Sequence, residues 1–279
     1  MQEEKKKRLE KLATKIRLGV LEAVYHGKSG HPGGSLSVCD ILSVLYFHEM
    51  NVDQTNPNLE ERDRLILSKG HCSPALYSAL SLKGFFKTEE LSTFRTIDSR
   101  LQGHPDKNKV PGVDMTTGSL GQGLSAANGM ALAGKLQKKE YRVYAILGDG
   151  EIEEGQIWEA AMTSSKYQLD NICAILDYNH LQIDGTIEEV KGLGQIEEKW
   201  KSFGWETYIM DGHSISEIIK GLEKAKNTKG KPTILIANTI KGKGISFMEN
   251  QVGWHGKAPD DEQYQIAIQE LRKQLEKEG

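Results

Sequence analysis

Short apolar runs alternate along this chain with longer stretches of helical periodicity. Five runs have strand composition: 63–67 (DRLIL), 141–147 (YRVYAIL), 171–176 (NICAIL), 205–210 and 233–237. Between them the apolar spacing lengthens to that of a helix at 5–26, 36–49, 74–82, 124–136, 156–167 and 215–226. Strands followed by helices in this order predict an α/β fold, a doubly wound parallel sheet with helices on both faces. No internal repeat or linker divides the chain, so residues 1–279 read as one domain. The stretch 94–113 is long and irregular, as functional loops tend to be. Residues 260–279 read as a complete charged, amphipathic helix rather than a cut linker.

The run 141–147 stops at Gly148-Asp149-Gly150, and the strand after the next helix ends in Asp177-Tyr178-Asn179. That is a βαβ unit, whose right-handed crossover puts both strand ends on one edge of a parallel sheet. Ligands of open α/β sheets bind at that carboxyl edge. Asp149 offers a carboxylate and Asn179 an amide oxygen, while the glycines let backbone N–H groups approach phosphate. Hard oxygen ligands completed by phosphate oxygens are what Mg²⁺ prefers. Alone, a Gly-Asp-Gly at a strand end is as readily a plain turn. The second strand end in matching register shifts the balance to a metal-and-diphosphate site.

Among the eight histidines, four His-Gly elements stand out: Ser29-Gly30-His31-Pro32-Gly33, Ser68-Lys69-Gly70-His71, Gly103-His104-Pro105 and Trp254-His255-Gly256. One such histidine is ordinary; four suggest proton traffic or contacts to phosphate and sugar oxygens. His71 follows the run 63–67 and so belongs at a strand terminus. Thr116-Thr117-Gly118-Ser119-Leu120-Gly121-Gln122-Gly123 opens an Ala-rich helix. It fits either an anion and ring-edge docking loop or a helix cap with glycines for close packing.

Composition narrows the classes. A net charge of −3 gives no reason to expect nucleic acid or a membrane as partner. No apolar run approaches the roughly eighteen residues of a spanning helix, and the N-terminus lacks an apolar signal core. Cys39, Cys72 and Cys173 form no CxxC pattern, which fits a reducing, cytoplasmic setting without structural zinc. Cys72 beside His71 reads as a buried spectator.

In this order, the blocks resemble transketolase over about 9–259, and the Asp149-to-Asn179 spacing of thirty positions (179 − 149) resembles the thiamine diphosphate signature. The resemblance implies thiamine diphosphate and Mg²⁺ as cofactors, with Ca²⁺ or Mn²⁺ as substitutes. It implies that Asp149, Asn179 and the backbone carbonyl of Leu181 bind the metal, Asn179 thereby also contributing to the cofactor site. Gly150 would meet the diphosphate through its backbone, and His71 and Lys241 would touch it. Gly118, Ser119 and Leu120 would line the cofactor rings. His31 and His255 would contact sugar hydroxyls and move protons, His255 lying close to the cofactor too, and His104 would bind the donor's hydroxyl end. Glu154 matches a buried glutamate that links two active sites across a dimer, though an acid at a helix start also meets the dipole without catalytic duty. Its neighbours Glu151 and Glu153 read as solvated. Lys241 and Lys243 also fit a solvated basic loop, and Gly34 stands where some relatives carry a cofactor-touching serine. The face formed by Trp158, Ala161 and Met162 reads as core or subunit interface.

At 279 residues the chain is less than half a conventional transketolase, and every matching motif belongs to the first of three domains. The resemblance places the glutamate that activates the aminopyrimidine, and the arginines that hold the sugar phosphate, in the domains not present here. It therefore implies a split enzyme: this chain with a partner carrying the pyrimidine-binding and C-terminal domains, as a 2+2 heterotetramer. The reaction implied is transfer of a two-carbon ketol unit from a ketose phosphate to an aldose phosphate. Three rivals stand beside it: deoxyxylulose-phosphate synthase, a split ketolase for an unusual, for example branched, pentose phosphate, and a non-catalytic paralogue. The last would be expected to have lost Asp149, Asn179 or the histidines, and all are present.

Overall fold

The five apolar runs pair as one parallel sheet in the computed structural model, which describes residues 2–278. The strands are β1 (Arg64–Leu67), β2 (Val143–Gly148), β3 (Ile172–Tyr178), β4 (Glu206–Asp211) and β5 (Thr233–Asn238), in spatial order β1-β2-β3-β5-β4. Their side chains alternate between two cores. Leu65, Tyr144, Ile146, Cys173 and Leu235 join one cluster, and Ile66, Val143, Ala145, Ala174 and Ile234 the other. Burial on both faces explains why β2, β3 and β5 are almost wholly apolar, whereas the edge strand β4 is only alternately buried and carries Glu206 and Asp211.

Helices cover both faces, as the alternation of elements predicts. On one side α1 (Gln2–His26) packs against α3 (Cys39–Val44), α4 (Ser73–Lys83) and α10 (Asp261–Lys277), with α9 (Ile215–Asn227) beside α3. On the other, α5 (Gly123–Leu136) lies on β2 and against α6 (Gly155–Lys166). The last helix starts at a capping box between Asp260 and Gln263; of the expected span 260–279, Gly279 lies outside the described residues.

The expected single helix at 36–49 is three pieces. It begins earlier, as α2 (Pro32–Ser37) with Pro32 in its first turn, breaks at Val38, and resumes as α3 before ending in a π turn, Leu45–Glu49. The Ser37 hydroxyl is turned toward Asp177, and Cys39 Sγ donates to the Ser35 carbonyl at 3.2 Å. Such back-bonding competes with the helical ladder and bends it. Two short helices not foreseen, α7 (Ile187–Val190) and α8 (Ile196–Ser202), follow β3; the Thr186–Glu189 capping box that starts α7 was a legible signal. No helix or strand occurs at 94–113, in keeping with the irregular loop read there. No helix among the described residues is long and apolar enough to cross a membrane.

Candidate functional site

The site begins where β2 and β3 end side by side. Gly148 pairs with Asp177 in register, so Asp149 leaves the sheet next to Tyr178 and Asn179. Its carboxylate accepts the backbone N–H groups of His180 at 2.7 Å and Gly150 at 2.9 Å. Burial, with the charge of Asp177, pushes Asp149 up to about 7, the condition of a carboxylate whose ionised form calls for a nearby cation. Asn179 spends its Nδ2 on Asp177 at 3.0 Å, which leaves Oδ1 as its acceptor, and the Leu181 N–H reaches that oxygen at 3.2 Å. The Leu181 carbonyl accepts Lys241 Nζ at 3.0 Å. One carboxylate, one amide oxygen and one backbone carbonyl thus line the same cleft, a hard-oxygen donor set suited to Mg²⁺ completed by phosphate. Among the described residues no three His, Cys, Asp or Glu side chains cluster as a metal cage. A site taking a single carboxylate from the protein would not form one.

Three of the four histidines form a triangle above this edge. Ring centroids are 5.1 Å apart for His31–His71, 5.4 Å for His31–His255 and 5.6 Å for His71–His255. Burial is the main cause that lowers them, His31 to about 4, His255 to about 3 and His71 to about 2, with neighbouring cationic groups adding to it. All three are neutral at physiological pH, able to donate at one nitrogen and accept at the other. The Lys241 ammonium, a donor only, lies 2.8 Å from His255 Nδ1, so that nitrogen accepts and the ring proton sits on Nε2. His31 Nδ1 is buried with no hydrogen-bond partner among the described residues. His104 is exposed, and its ring packs over Gly118. At Gly118 φ is +147° and a Cβ would come within 3.0 Å of the His104 ring, so this loop tolerates no side chain there.

Lys241 is only 1% exposed, which removes the solvated-loop reading for it; burial pulls it down to about 8. Lys243 is half-buried and pairs with Glu249 at 3.4 Å. Glu151, expected to be solvated, is instead 3% exposed. Its carboxylate takes the Ser68 hydroxyl and the backbone N–H groups of Gly121 and Gly148, both at 3.0 Å, and so ties three site loops together. Glu153 is half-buried and accepts Gln182 Nε2 at 3.0 Å. Glu154, matched to a buried glutamate, is exposed in this chain, at the rim of the cleft. Met162 is likewise exposed, whereas Ala161 is buried and Trp158 packs between Trp200 and Phe203. The Cys72 thiol is fully buried and pushed up to about 11, which fits a spectator.

An ion pair beneath the site escaped the sequence reading. Asp177, fully buried, receives Lys69 Nζ, the hydroxyls of Ser37 and Thr239, and Asn179 Nδ2. Lys69 also donates to the Gly34 carbonyl at 3.0 Å. The signal was an acidic residue inside an otherwise apolar strand. The structure brings His31, His71, His104, Gly118, Leu120, Asp149, Gly150, Glu154, Asn179, Leu181, Lys241 and His255 around one cavity of about 530 Å³. Ser119 is exposed and does not line it.

Fold and site together define an α/β domain with an oxygen-lined cleft at the carboxyl edge of its parallel sheet, beneath a cluster of neutral imidazoles. Comparison with known proteins sharpens this. The family model described as "Transketolase, thiamine diphosphate binding domain" matches residues 9–277. The 6-deoxy-6-sulfo-D-fructose transketolase subunit SqwG of Clostridium sp. (strain MSTE9) is 48% identical over 266 residues, 95% of this chain and 97% of that protein. An apulose-4-phosphate transketolase subunit from Phocaeicola vulgatus is 45% identical, over 96% of this chain and 95% of its own length. Human transketolase is 40% identical over 98% of this chain but only 44% of its own length. The crystal structure of transketolase from Campylobacter jejuni superposes with a TM-score of 0.89 at 33% identity, covering 99% of this chain and 43% of that one. The chain belongs to the transketolase family, as a thiamine diphosphate-binding N-terminal domain.

Proposed function

We propose that this chain is the diphosphate-binding subunit of a thiamine diphosphate- and Mg²⁺-dependent transketolase, acting with a second polypeptide. That partner would carry the pyrimidine-binding and C-terminal domains, in a 2+2 heterotetramer. The observation that carries this reading is the convergence of Asp149, Asn179 and the Leu181 carbonyl beneath the His31, His71 and His255 triangle. The word "subunit" in the names of the two relatives matched over nearly their whole length supports a partner chain. So does the open side of the cleft, where Leu120 is 39% and Ile183 67% exposed. Glu154, exposed at that rim, is free to meet another protomer.

In this reading Asp149, Asn179 and Leu181 hold the metal, and Lys241 and His71 meet the diphosphate. Thiamine diphosphate supplies, when bound, the electron sink that cleavage of a carbon–carbon bond beside a carbonyl needs. His31 and His255, the latter through its Nε2–H, orient the sugar's hydroxyls and pass protons, assistance commonly worth about 10²–10⁴ in rate. Burial keeps these rings neutral near pH 7, the form that hydrogen-bonds a hydroxyl without placing a charge beside it. The donor is a ketose phosphate and the acceptor an aldose phosphate. A second reading, a split ketolase for a sulfonated or branched sugar, is favoured by the 48% and 45% identities to subunits named for such substrates.

A mixing assay tests both. This chain alone, and with its candidate partner, is given thiamine diphosphate, Mg²⁺, xylulose 5-phosphate and ribose 5-phosphate, and in parallel a 6-sulfonated ketohexose or a branched pentulose phosphate as donor. Silence alone and activity on mixing supports the split enzyme, and the donor turned over selects the sugar class. Turnover by the single chain refutes the split site. Silence from a demonstrably assembled pair with every donor refutes both readings.

A further inference from the structure

A buried relay runs from α1 to the loop that carries Lys241, and its members line no part of the cleft. Arg17 on α1 makes a two-pronged pair with Asp40 on α3, Nη1 reaching Oδ1 at 3.3 Å; the two residues are 2% and 6% exposed. Asp40 Oδ2 also lies 2.7 Å from His213 Nδ1. Paired with a guanidinium the carboxylate is ionised, so Nδ1 carries the proton and donates it. Nε2 is left with a lone pair, and it accepts the backbone N–H of Ile240 at 2.8 Å. Both partners therefore fix one neutral tautomer.

His213 sits on the turn between β4 and α9, its own N–H donating to Asp211 Oδ1 at 2.8 Å. At Gly212 a Cβ would lie 2.4 Å from Thr239 Cγ2, so glycine is what lets this turn press against the end of β5. The loop beyond β5 is consequently held at three successive points. Thr239 is bonded to Asp177, Ile240 to His213, and Gly242 N–H to the Gly33 carbonyl at 2.9 Å. Between the last two stands Lys241, whose ammonium reaches the Leu181 carbonyl and His255.

We propose that His213 is a positioning residue for the diphosphate end of the cleft, setting through the Ile240 N–H the place from which Lys241 reaches Leu181 and His255. It touches neither cofactor nor substrate. This rests on the reading of Lys241 as a diphosphate contact. Fold stability does not call for the imidazole, because Asp40 already has Arg17 as counter-ion. The group that depends on it is the Ile240 N–H, which has no other acceptor among the described residues.

Two substitutions separate the two hydrogen bonds. His213→Asn places an amide N–H near the position of Nδ1, keeping the bond to Asp40, but is too short to reach Ile240. His213→Gln extends an amide oxygen toward Ile240 and keeps that bond. In the complex with Mg²⁺ and the partner chain, His213→Asn is expected to raise the Kd for thiamine diphosphate about tenfold. It should leave kcat at saturating cofactor close to wild type, and lower the melting temperature without cofactor by no more than the few degrees that one lost backbone hydrogen bond costs. His213→Gln should bind cofactor like wild type. Unchanged affinity in His213→Asn, or an equal loss in His213→Gln, overturns the inference alone. A wild-type complex that binds no thiamine diphosphate overturns the functional reading and the inference with it.

Discussion

Replacing Lys69 by methionine should unfold the chain more readily in neutral than in acidic solution. Asp177 is fully buried, and Lys69 is its only cationic partner among the described residues. After the substitution the carboxylate keeps three neutral donors, Ser37, Thr239 and Asn179, but no compensating charge. Breaking a buried pair on one side costs about 3–5 kcal/mol. That is a large share of the roughly 5–15 kcal/mol that holds a typical domain folded. The pH dependence follows from the sign of the shift. Burial pushes Asp177 up, but the Lys69 charge and the hydrogen bonds from Lys69, Thr239 and Ser37 outweigh it and hold the group below 3.8. In the wild type this stabilisation is present above the unfolded value near 3.9 and is lost as pH falls through the folded one. Without Lys69, burial dominates and the folded value rises above the unfolded one. The deficit is then full at neutral pH and shrinks as falling pH neutralises the acid. Urea unfolding followed by circular dichroism should show a loss of about 4 kcal/mol at pH 7 and clearly less at pH 5. The double variant Lys69→Met/Asp177→Asn should recover much of it, since no charge is left buried. A Lys69→Met variant within about 1 kcal/mol of wild type at pH 7, or with an equal deficit at both pH values, refutes the reasoning.

Four further outcomes are expected. Asp149→Ala should abolish Mg²⁺-dependent binding of thiamine diphosphate, read by fluorescence titration with and without metal, and undiminished binding would remove Asp149 from the metal site. Because Asp149 is pushed up to about 7 and must be ionised to hold a metal, Mg²⁺-dependent affinity in the wild type should be level above pH 8 and fall about tenfold per unit well below pH 7. The same linkage makes added Mg²⁺ raise the melting temperature more at pH 8 than at pH 6; a flat response would contradict it. Glu151→Ala leaves the Gly121 and Gly148 N–H groups and the Ser68 hydroxyl without their acceptor and should cost about 1–3 kcal/mol, whereas a solvated glutamate would cost almost nothing in the same unfolding assay.

Much of this protein is local in origin, and that part was legible in the chain. Apolar runs of four to seven residues became strands because such segments satisfy their backbone only in a sheet and their side chains only between two helical layers. Their order along the chain determined the parallel winding, and winding alone put Gly148-Asp149-Gly150 beside Asp177-Tyr178-Asn179. The histidine loops were visible by composition. Burial was not. Glu151 read as a solvated charge and Lys241 as either a diphosphate contact or a solvated one, and it took the folded chain to put Ser68 and Gly121 over the first, and Leu181 and His255 over the second. The break at Val38 belongs with these, since Ser37 is turned toward Asp177, 140 positions away. So does the relay from Arg17 through Asp40 and His213 to Ile240, whose steps of 23, 173 and 27 residues leave no trace in any local pattern. Sequence determined which segments fold and in what order, because backbone hydrogen bonding and side-chain periodicity act over a few residues. Tertiary structure alone decided which charges lose their water. That depends on neighbours brought from elsewhere in the chain, and it sets the protonation and reach of every group in the site.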